Sequence, residues 1–322
     1  MAASDAPDRS KEKIPVIIIC GPTASGKSGL ALEIAKKHGG EIFSADSRQI
    51  FRQLKIGTDR LDKNQQQGIA HHLMGNADLG ERFTAFDFVR EAERVIEDAH
   101  ERGKRIIICG GTGLYVRALV DGIFEIPDDD MTYRQDLLDM VAREGPNFVH
   151  QMLSEVDPKE AANIHPRNYI KVVRALEIYH ITGRPKSEMV DETKPRNENF
   201  VYLYLILLPD RDKLYERINQ RVDEMIDEGL IDEVREVLAS VHGESLRKSK
   251  IVGYRELIDF FDGNISRAEA INLIKRNTRR YAKRQYTWFK AVPNSKFIPS
   301  FGFESAEVAS DLVEDFLKSC NL

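Results

Sequence analysis

Cysteine is scarce in this chain and follows no recognisable pattern. Among 322 residues there are three: Cys20 and Cys109 end apolar runs, and Cys320 lies near the C-terminus. No Cys-x-x-Cys pair or histidine cluster accompanies them, whereas disulfide frameworks and zinc sites depend on such spacings. We therefore expect neither a disulfide framework nor a zinc site.

Long apolar runs and targeting signals are missing as well. No run approaches the roughly 18 apolar residues that a membrane-spanning helix needs. The segment 1–13 has no apolar stretch, and its acids Asp5, Asp8 and Glu12 are atypical of a transit peptide. We interpret 1–13 as a disordered tail and expect a cytoplasmic, monomeric protein without membrane contact.

An overall positive charge is also lacking, but the charge is unevenly distributed. The formal net charge is -5, whereas the segment from Ser245 to Lys296 contains thirteen Lys and Arg against four Asp and Glu. A local surplus of this kind attracts a polyanion to one face of a protein. This segment is therefore a candidate surface for nucleic acid.

The run Gly21–Ser28 matches the phosphate-loop pattern G-x-x-x-x-G-K-S. It follows an apolar stretch and precedes a helical pattern, the context in which this motif is credible. Its backbone N–H groups and Lys27 suit phosphate oxygens, and Ser28 suits Mg²⁺. The candidate phosphate ligands are Gly21, Thr23, Ala24, Ser25, Gly26, Lys27 and Ser28. The motif alone indicates nucleotide binding, as in ATP sites; the alternative is a glycine-rich turn without a ligand.

Two further strand ends carry candidate site residues. Asp46 follows the apolar stretch Glu41–Ala45, and Thr112 follows a third strand that ends at Cys109. Because working residues lie at the carboxyl ends of parallel strands, both are expected beside the loop. The alternatives are a helix N-cap for Asp46 and a plain glycine turn before Thr112. The third strand has no carboxylate after it, which favours a diphosphate leaving group with Asp46 as base, although small-molecule kinases also carry an early Asp.

The predicted fold is α/β: a P-loop-containing core with a parallel sheet flanked by helices, plus an all-helical insertion domain. The core comprises 14–127 and 199–322, with basic C-terminal helices, and the insertion comprises 128–198. A polar linker is predicted at Ser187–Asn199, and the apolar run from Phe200 to Leu208 is typical of a strand buried on both faces.

Basic residues of two later helices are further candidates. Arg217 and Arg221 share a helix face and could clamp a diphosphate; the alternative is a solvated charged face. A long basic helix, Lys275–Phe289, contains aromatic side chains that could stack on bases or anchor the core. Its Arg and Lys faces are better explained by phosphate contacts.

Eight motifs resemble the tRNA dimethylallyltransferase (tRNA isopentenyltransferase) family, bacterial type. In order they are Gly21–Ser28, Asp46–Gln49, Ile56–Asp59, His71–Leu73, Gly110–Tyr115, Arg174–Tyr179, Val252–Arg255 and Thr278–Gln285. They cover roughly residues 14 to 290. The resemblance implies transfer of a dimethylallyl group from dimethylallyl diphosphate to N6 of the adenosine 3′-adjacent to the anticodon, in tRNAs reading codons that begin with U.

The resemblance also implies roles for individual residues. Thr23 to Ser28 bind the diphosphate, and Asp46 is the general base. Arg221 matches the diphosphate-binding arginine, with Arg217 as the second candidate. The residues predicted to contact the tRNA anticodon stem-loop are Asp46, Ser47, Arg48, Gln49, Thr112, Arg134, Gly253, Tyr254, Arg255, Arg280 and Arg284. The expected cofactor is Mg²⁺, held by Ser28.

The sequence departs from the family pattern at Ile170 and Lys171, where many members have Gln-Arg, so no base-reading role is transferred there. Phe51 stands where Tyr is common. Three rival functions remain open: prenylation of free AMP or ADP, a small-molecule or nucleotide kinase, and a non-catalytic RNA-binding module. The basic C-terminal segment and the insertion favour tRNA.

Overall fold

The computed structural model describes residues 13–126, 131–195 and 197–320, which form six strands and fourteen helices. The strands are β1 (Ile14–Cys20), β2 (Gly40–Ser44), β3 (His71–His72), β4 (Arg105–Gly110), β5 (Phe200–Leu207) and β6 (Ser295–Ile298). The helices are α1 (Lys27–His38), α2 (Ala85–Glu101), α3 (Gly113–Asp121), α4 (Met131–Glu144), α5 (Pro146–Val156), α6 (Pro158–Asn163), α7 (Tyr169–Thr182), α8 (Lys186–Glu192), α9 (Arg211–Asp227), α10 (Leu230–Ala239), α11 (Gly243–Ser249), α12 (Tyr254–Phe261), α13 (Arg267–Lys290) and α14 (Ala306–Ser319).

The strands form one parallel sheet in the order β3-β2-β4-β1-β5-β6. The central strand β1 is buried from Pro15 onward, which explains its uninterrupted apolar sequence. β5 pairs along the whole of β1, from Ile14 opposite Phe200 to Cys20 opposite Ile206. The sheet therefore resumes after the helical segment, and the predicted α/β class with a parallel sheet flanked by helices is confirmed.

Helices cover both faces of the sheet. On one face, Leu30 of α1 and Val313 of α14 belong to the same buried cluster as Ile17 of β1. On the other, Phe88 of α2 packs edge-on against Phe43 of β2, with ring centroids 5.5 Å apart. Neighbouring residues of a strand point to opposite faces, so β2 contributes to both layers. Because β1, β2 and β4 are parallel, their carboxyl ends lie together at one edge of the sheet, between the two helical layers.

The chain divides into two compact units. One contains the described residues up to Arg117 and from Asn197 onward, and the other those between Ala118 and Arg196. The second unit is helical, with α4, α5 and α7 around Leu137, Leu153 and Leu176. The second unit begins ten residues before the predicted insertion, 128–198. The start of that predicted insertion lies outside the described residues, and so does the predicted tail 1–13, except for Lys13.

Two elements correct the sequence-based expectations. The predicted linker Ser187–Asn199 overlaps helix α8, which begins where the Asp157 carboxylate accepts hydrogen bonds from the N–H and hydroxyl of Ser187, at 2.9 and 2.6 Å. The edge strand β6 was not predicted; its register places Ser295 opposite Tyr204 of β5. Both segments are short, and partners far away in the chain stabilise them.

No helix in the described ranges is long and apolar enough to cross a membrane. The monomeric state stays a prediction.

Candidate active site

The phosphate loop connects β1 to α1 at the carboxyl edge of the sheet. Gly26, immediately before α1, has φ +83°, a left-handed conformation that glycine adopts without strain. The first turn of α1 contains no acidic residue. Its first N–H groups have no partner within the helix and carry the positive end of the helix dipole. The loop therefore has the geometry of an anion site, and phosphate binding there stays a prediction.

Two distant segments brace this loop. The side chain of Gln285 on α13 accepts a hydrogen bond from the Thr23 N–H at 2.9 Å and donates one to the Gly111 carbonyl at 2.9 Å. Before α14, the Gly302 N–H donates to the Ser25 carbonyl at 2.9 Å. A Cβ on Gly302 would lie 2.1 Å from the Gly26 carbonyl oxygen, so only glycine fits there. Sequence reasoning gave neither Gln285 nor Gly302 a role at the loop.

Asp46 lies two residues after the end of β2 and faces the same small cavity as the loop. No helix begins after it in this described segment, so the N-cap alternative is wrong; its carboxylate accepts a hydrogen bond from the Arg48 N–H at 2.8 Å. The next residue, Ser47, donates its N–H to the Thr112 hydroxyl at 3.0 Å. The Thr112 N–H in turn donates to the Ala45 carbonyl. Thr112 therefore ties the ends of β2 and β4 together.

Two adjoining cavities meet at these strand ends. The larger has a volume of about 420 Å³ and the smaller about 60 Å³. Five residues line both: Thr23, Asp46, Thr58, Arg221 and Tyr281. The smaller cavity also contains Lys27 and Ser28. One wall of the larger cavity is apolar, formed by Ile218, Val222, Met225, Leu230, Ile251, Val252 and Ile274.

The cationic side of the small cavity consists of Lys27 and Arg221. Lys27 donates to the Pro22 carbonyl at 3.3 Å, and burial lowers the pKa of its ammonium group. Arg221 reaches from α9 to the Thr23 hydroxyl at 3.2 Å and pairs with Asp59 at 2.7 Å. Two cations thus converge on one small polar space.

Known proteins resemble the chain along most of its length. The model of a family described as IPP transferase matches residues 49–292. A protein of Geobacter metallireducens, named tRNA dimethylallyltransferase, is 44% identical over 88% of this chain and 91% of its own. The chain belongs to the IPP transferase family. The family resemblance predicted from the eight motifs is therefore confirmed.

Solved structures extend this finding to the fold of the IPP transferase family. A full-length tRNA isopentenylpyrophosphate transferase from Bacillus halodurans matches 96% of this chain and 98% of its own, with TM-score 0.68 and 36% identity. A eukaryotic dimethylallyltransferase, described as acting on tRNA, matches 95% of this chain and 80% of its own, with TM-score 0.78 and 28% identity.

The structure separates the two candidate arginines of this family member. Arg221 lines both cavities, whereas Arg217 lines neither. The Arg217 guanidinium instead lies over the rings of Phe301 and Phe303, at 5.4 and 5.0 Å from their centroids. In this structure Arg217 therefore stacks on aromatic rings and lines neither cavity, and its role as a diphosphate ligand stays a prediction.

Gln49, a predicted tRNA contact, makes three side-chain hydrogen bonds within the protein. Its side chain accepts a hydrogen bond from the Ser44 hydroxyl and donates to the carbonyls of Thr58 and Asp59, at 3.0, 3.1 and 3.2 Å. Gln49 is buried and lines only the smaller cavity. It holds the segment that carries Thr58 beside the site.

Tyr254, predicted to contact tRNA, is instead buried inside the protein, so its side chain offers no exposed surface for that contact. Its ring is fully buried, and its hydroxyl donates to the Glu233 carboxylate at 2.6 Å. The same carboxylate accepts the N–H groups of Lys55, Ile56 and Gly57. Burial, with the Glu233 charge, raises the pKa of Tyr254 well above its usual value, so the hydroxyl keeps its proton. Tyr254 supports the loop beside the site.

We expect Tyr254→Phe to lower the free energy of unfolding by about 1.5–3 kcal/mol, because it removes a buried hydrogen bond to a charged group. Urea unfolding should show a lower midpoint with an unchanged m-value. Tyr286→Phe on α13 is the control, since the Tyr286 hydroxyl makes no hydrogen bond within the described part of the chain. Equal midpoints for the two variants would contradict this role.

The remaining predicted tRNA contacts fall into three groups. Ser47, Arg48, Thr112, Gly253 and Arg284 line the larger cavity. Arg255 and Arg280 are exposed and line neither cavity. Arg134 lies in the second unit, where it and Arg174 both contact the buried carboxylate of Glu177, at 2.7 and 2.6 Å. Ile170 and Lys171, the positions that depart from the family pattern, are exposed on α7.

Proposed function

We propose that this chain is a tRNA dimethylallyltransferase. It transfers the dimethylallyl group of dimethylallyl diphosphate to N6 of the adenosine 3′-adjacent to the anticodon, in tRNAs reading codons that begin with U, and releases diphosphate. The observation that carries the proposal is the convergence of Lys27, Arg221 and Asp46 on the small cavity, next to the larger one. Family membership and the names of the relatives support it.

The small cavity suits the diphosphate of the donor, and the larger cavity suits the prenyl chain and the adenine that accepts it. A diphosphate in the small cavity would meet the first turn of α1, Lys27 and Arg221, all of which attract anions. The larger cavity lies within the size range of ligand sites and combines an apolar wall with a polar rim. It can accept the prenyl chain and an adenine extruded from its stack, as enzymes acting on bases require.

The proposed chemistry needs one base and a stabilised leaving group. The adenine N6 forms a bond to C1 of the dimethylallyl group while the C1–oxygen bond breaks, and the electron pair of that bond leaves with the diphosphate. The N6 proton then passes to the Asp46 carboxylate. Lys27 and Arg221 favour the transition state over the ground state, because the diphosphate gains charge as it departs.

Mg²⁺ remains part of the proposal. The hydroxyl of Ser28 lines the small cavity, and a hard oxygen donor of this kind suits Mg²⁺, which usually takes few protein ligands alongside substrate phosphates. Groups of three or more His, Cys, Asp or Glu placed for a metal are absent from the described residues. When bound, Mg²⁺ would neutralise part of the diphosphate charge.

The decisive experiment is incubation with dimethylallyl diphosphate and unmodified tRNA, followed by nucleoside mass analysis. We expect a mass gain of one dimethylallyl group on adenosine and release of diphosphate. Parallel reactions with AMP and with ATP test the two rival enzyme functions. Prenylated AMP without prenylated tRNA, or ATP hydrolysis without consumption of the prenyl donor, would overturn the proposal.

We expect tRNA binding to weaken steeply with salt, because the basic segment Ser245–Lys296 would displace counterions from phosphates. A plot of log K against log salt should have a slope of about -3 or steeper, and Arg280→Ala should reduce it by about 1. Arg94→Ala, an exposed arginine of α2 paired with Glu91, is the matched control. Salt-insensitive binding would count against this surface.

A further inference from the structure

Asp59 makes an ion pair at the mouth of the small cavity that no predicted role explains. Its carboxylate lies 2.7 Å from the Nη2 atom of Arg221. Both residues line the cavity, together with Lys27 and Ser28. The second guanidinium nitrogen, Nη1, contacts the Thr23 hydroxyl at 3.2 Å. Arg221 is thus held over the phosphate loop from both sides.

The backbone fixes Asp59 in this position. Asp59 has φ +54°, a left-handed conformation that few residues other than Gly, Asn and Asp adopt readily. Its carbonyl accepts a hydrogen bond from the Gln49 side chain, and the Glu233 carboxylate anchors the preceding N–H groups. The segment from Lys55 to Asp59 therefore presents the carboxylate to Arg221 without further rearrangement.

Charge in the small cavity is balanced before any ligand arrives. Lys27 and Arg221 contribute two positive charges, and Asp46 and Asp59 contribute two negative ones. Asp46 has a proposed use as the base, and Asp59 has none. The Asp59 side chain is 53% exposed and that of Arg221 is 21% exposed, so solvent weakens the pair and another anion can replace it.

We propose that the Asp59 carboxylate stands in for a phosphate oxygen: it holds Arg221 in place over the loop until a diphosphate displaces it. The inference rests on the proposed function, because it assumes diphosphate in the small cavity. Asp59 keeps Arg221 oriented in the free protein, and it lowers the affinity for diphosphate because the two anions compete for one guanidinium. Release of the reaction product would be favoured in the same way.

The test is calorimetric titration of the full chain with inorganic diphosphate, with and without Mg²⁺. Asp59→Asn removes the charge and tolerates the positive φ. We expect the variant to bind diphosphate about three- to tenfold more tightly in both conditions, because it removes both a weak exposed ion pair that competes for Arg221 and a nearby like charge. Asp59→Gly, which also accepts this φ, should behave alike.

Asp262→Asn is the matched control. It breaks a comparable exposed pair, in which Arg247 contacts Asp262 at 2.7 and 2.9 Å, away from both cavities. We expect its diphosphate affinity to equal that of the wild type. An effect as large as that of Asp59→Asn would overturn the inference, because it would reflect net charge alone.

The outcomes separate the inference from the proposed function. If the wild type binds no diphosphate, both the inference and the proposed function are refuted. If the wild type binds diphosphate and neither Asp59 variant binds it more tightly, only the inference is refuted. Weaker binding by Asp59→Asn confined to the titration with Mg²⁺ would overturn it in favour of Asp59 as a residue that holds the metal.

Discussion

Replacing Asp46 with Asn is expected to lower kcat for prenyl transfer by about 10²–10⁴-fold, the usual contribution of a general base. The amide cannot take the N6 proton, yet its oxygen can still accept the hydrogen bond from the Arg48 N–H. The local turn should therefore persist. Single-turnover transfer to an anticodon stem-loop is the measurement, together with a binding titration, in which we expect little change in affinity.

Two results would refute this role for Asp46. A variant that keeps most of its single-turnover rate would remove Asp46 from the position of base. A fall in tRNA affinity as large as the fall in rate would assign it to binding. Asp262→Asn removes the same charge outside the site and should leave the rate unchanged, which controls for the altered net charge.

Replacing Lys27 with Ala is expected to lower kcat/KM for dimethylallyl diphosphate by about 10²–10³-fold, comparable to the loss of one preorganised oxyanion donor. Lys27 lies among the residues of the small cavity, where burial lowers the pKa of its ammonium group. A diphosphate would favour the charged form. Because the leaving group gains charge in the transition state, kcat should fall in addition to any rise in KM.

Lys36 provides the control on the same helix. Its ammonium group pairs with Glu33 at 2.9 Å on the surface of α1, so Lys36→Ala removes an equal charge without touching the cavity. Steady-state kinetics with varied donor and saturating tRNA should distinguish the two variants clearly. If Lys27→Ala raised KM with no change in kcat, Lys27 would contribute to ground-state binding only.

The local parts of the site could be predicted from sequence. The phosphate loop, the strand that precedes it and the helix that follows it are adjacent in the chain, and their geometry depends on glycine conformations and helix termini. Asp46 and Thr112 follow apolar strands, and the ends of parallel strands meet at one edge. The structure places both residues at the larger cavity.

Contacts between distant segments were beyond sequence reasoning. Arg217 and Arg221 share a helix face by spacing, yet only Arg221 lines the cavities, whereas Arg217 stacks on Phe301 and Phe303. Tyr254 belongs to a family motif, and only its burial against Glu233 shows that it supports a loop. The short segments α8 and β6 depend on partners far away in the chain.

The fold class, the phosphate loop, the carboxylate after the second strand and the family could all be predicted from the sequence. These features depend on local pattern: apolar runs, glycines at a turn and motifs in a given order. Only tertiary packing reveals that Arg221 contacts Thr23 and pairs with Asp59, and that Gln285 and Gly302 brace the loop. Each of these joins residues far apart in the chain, so its geometry exists only after the sheet and its helices have packed.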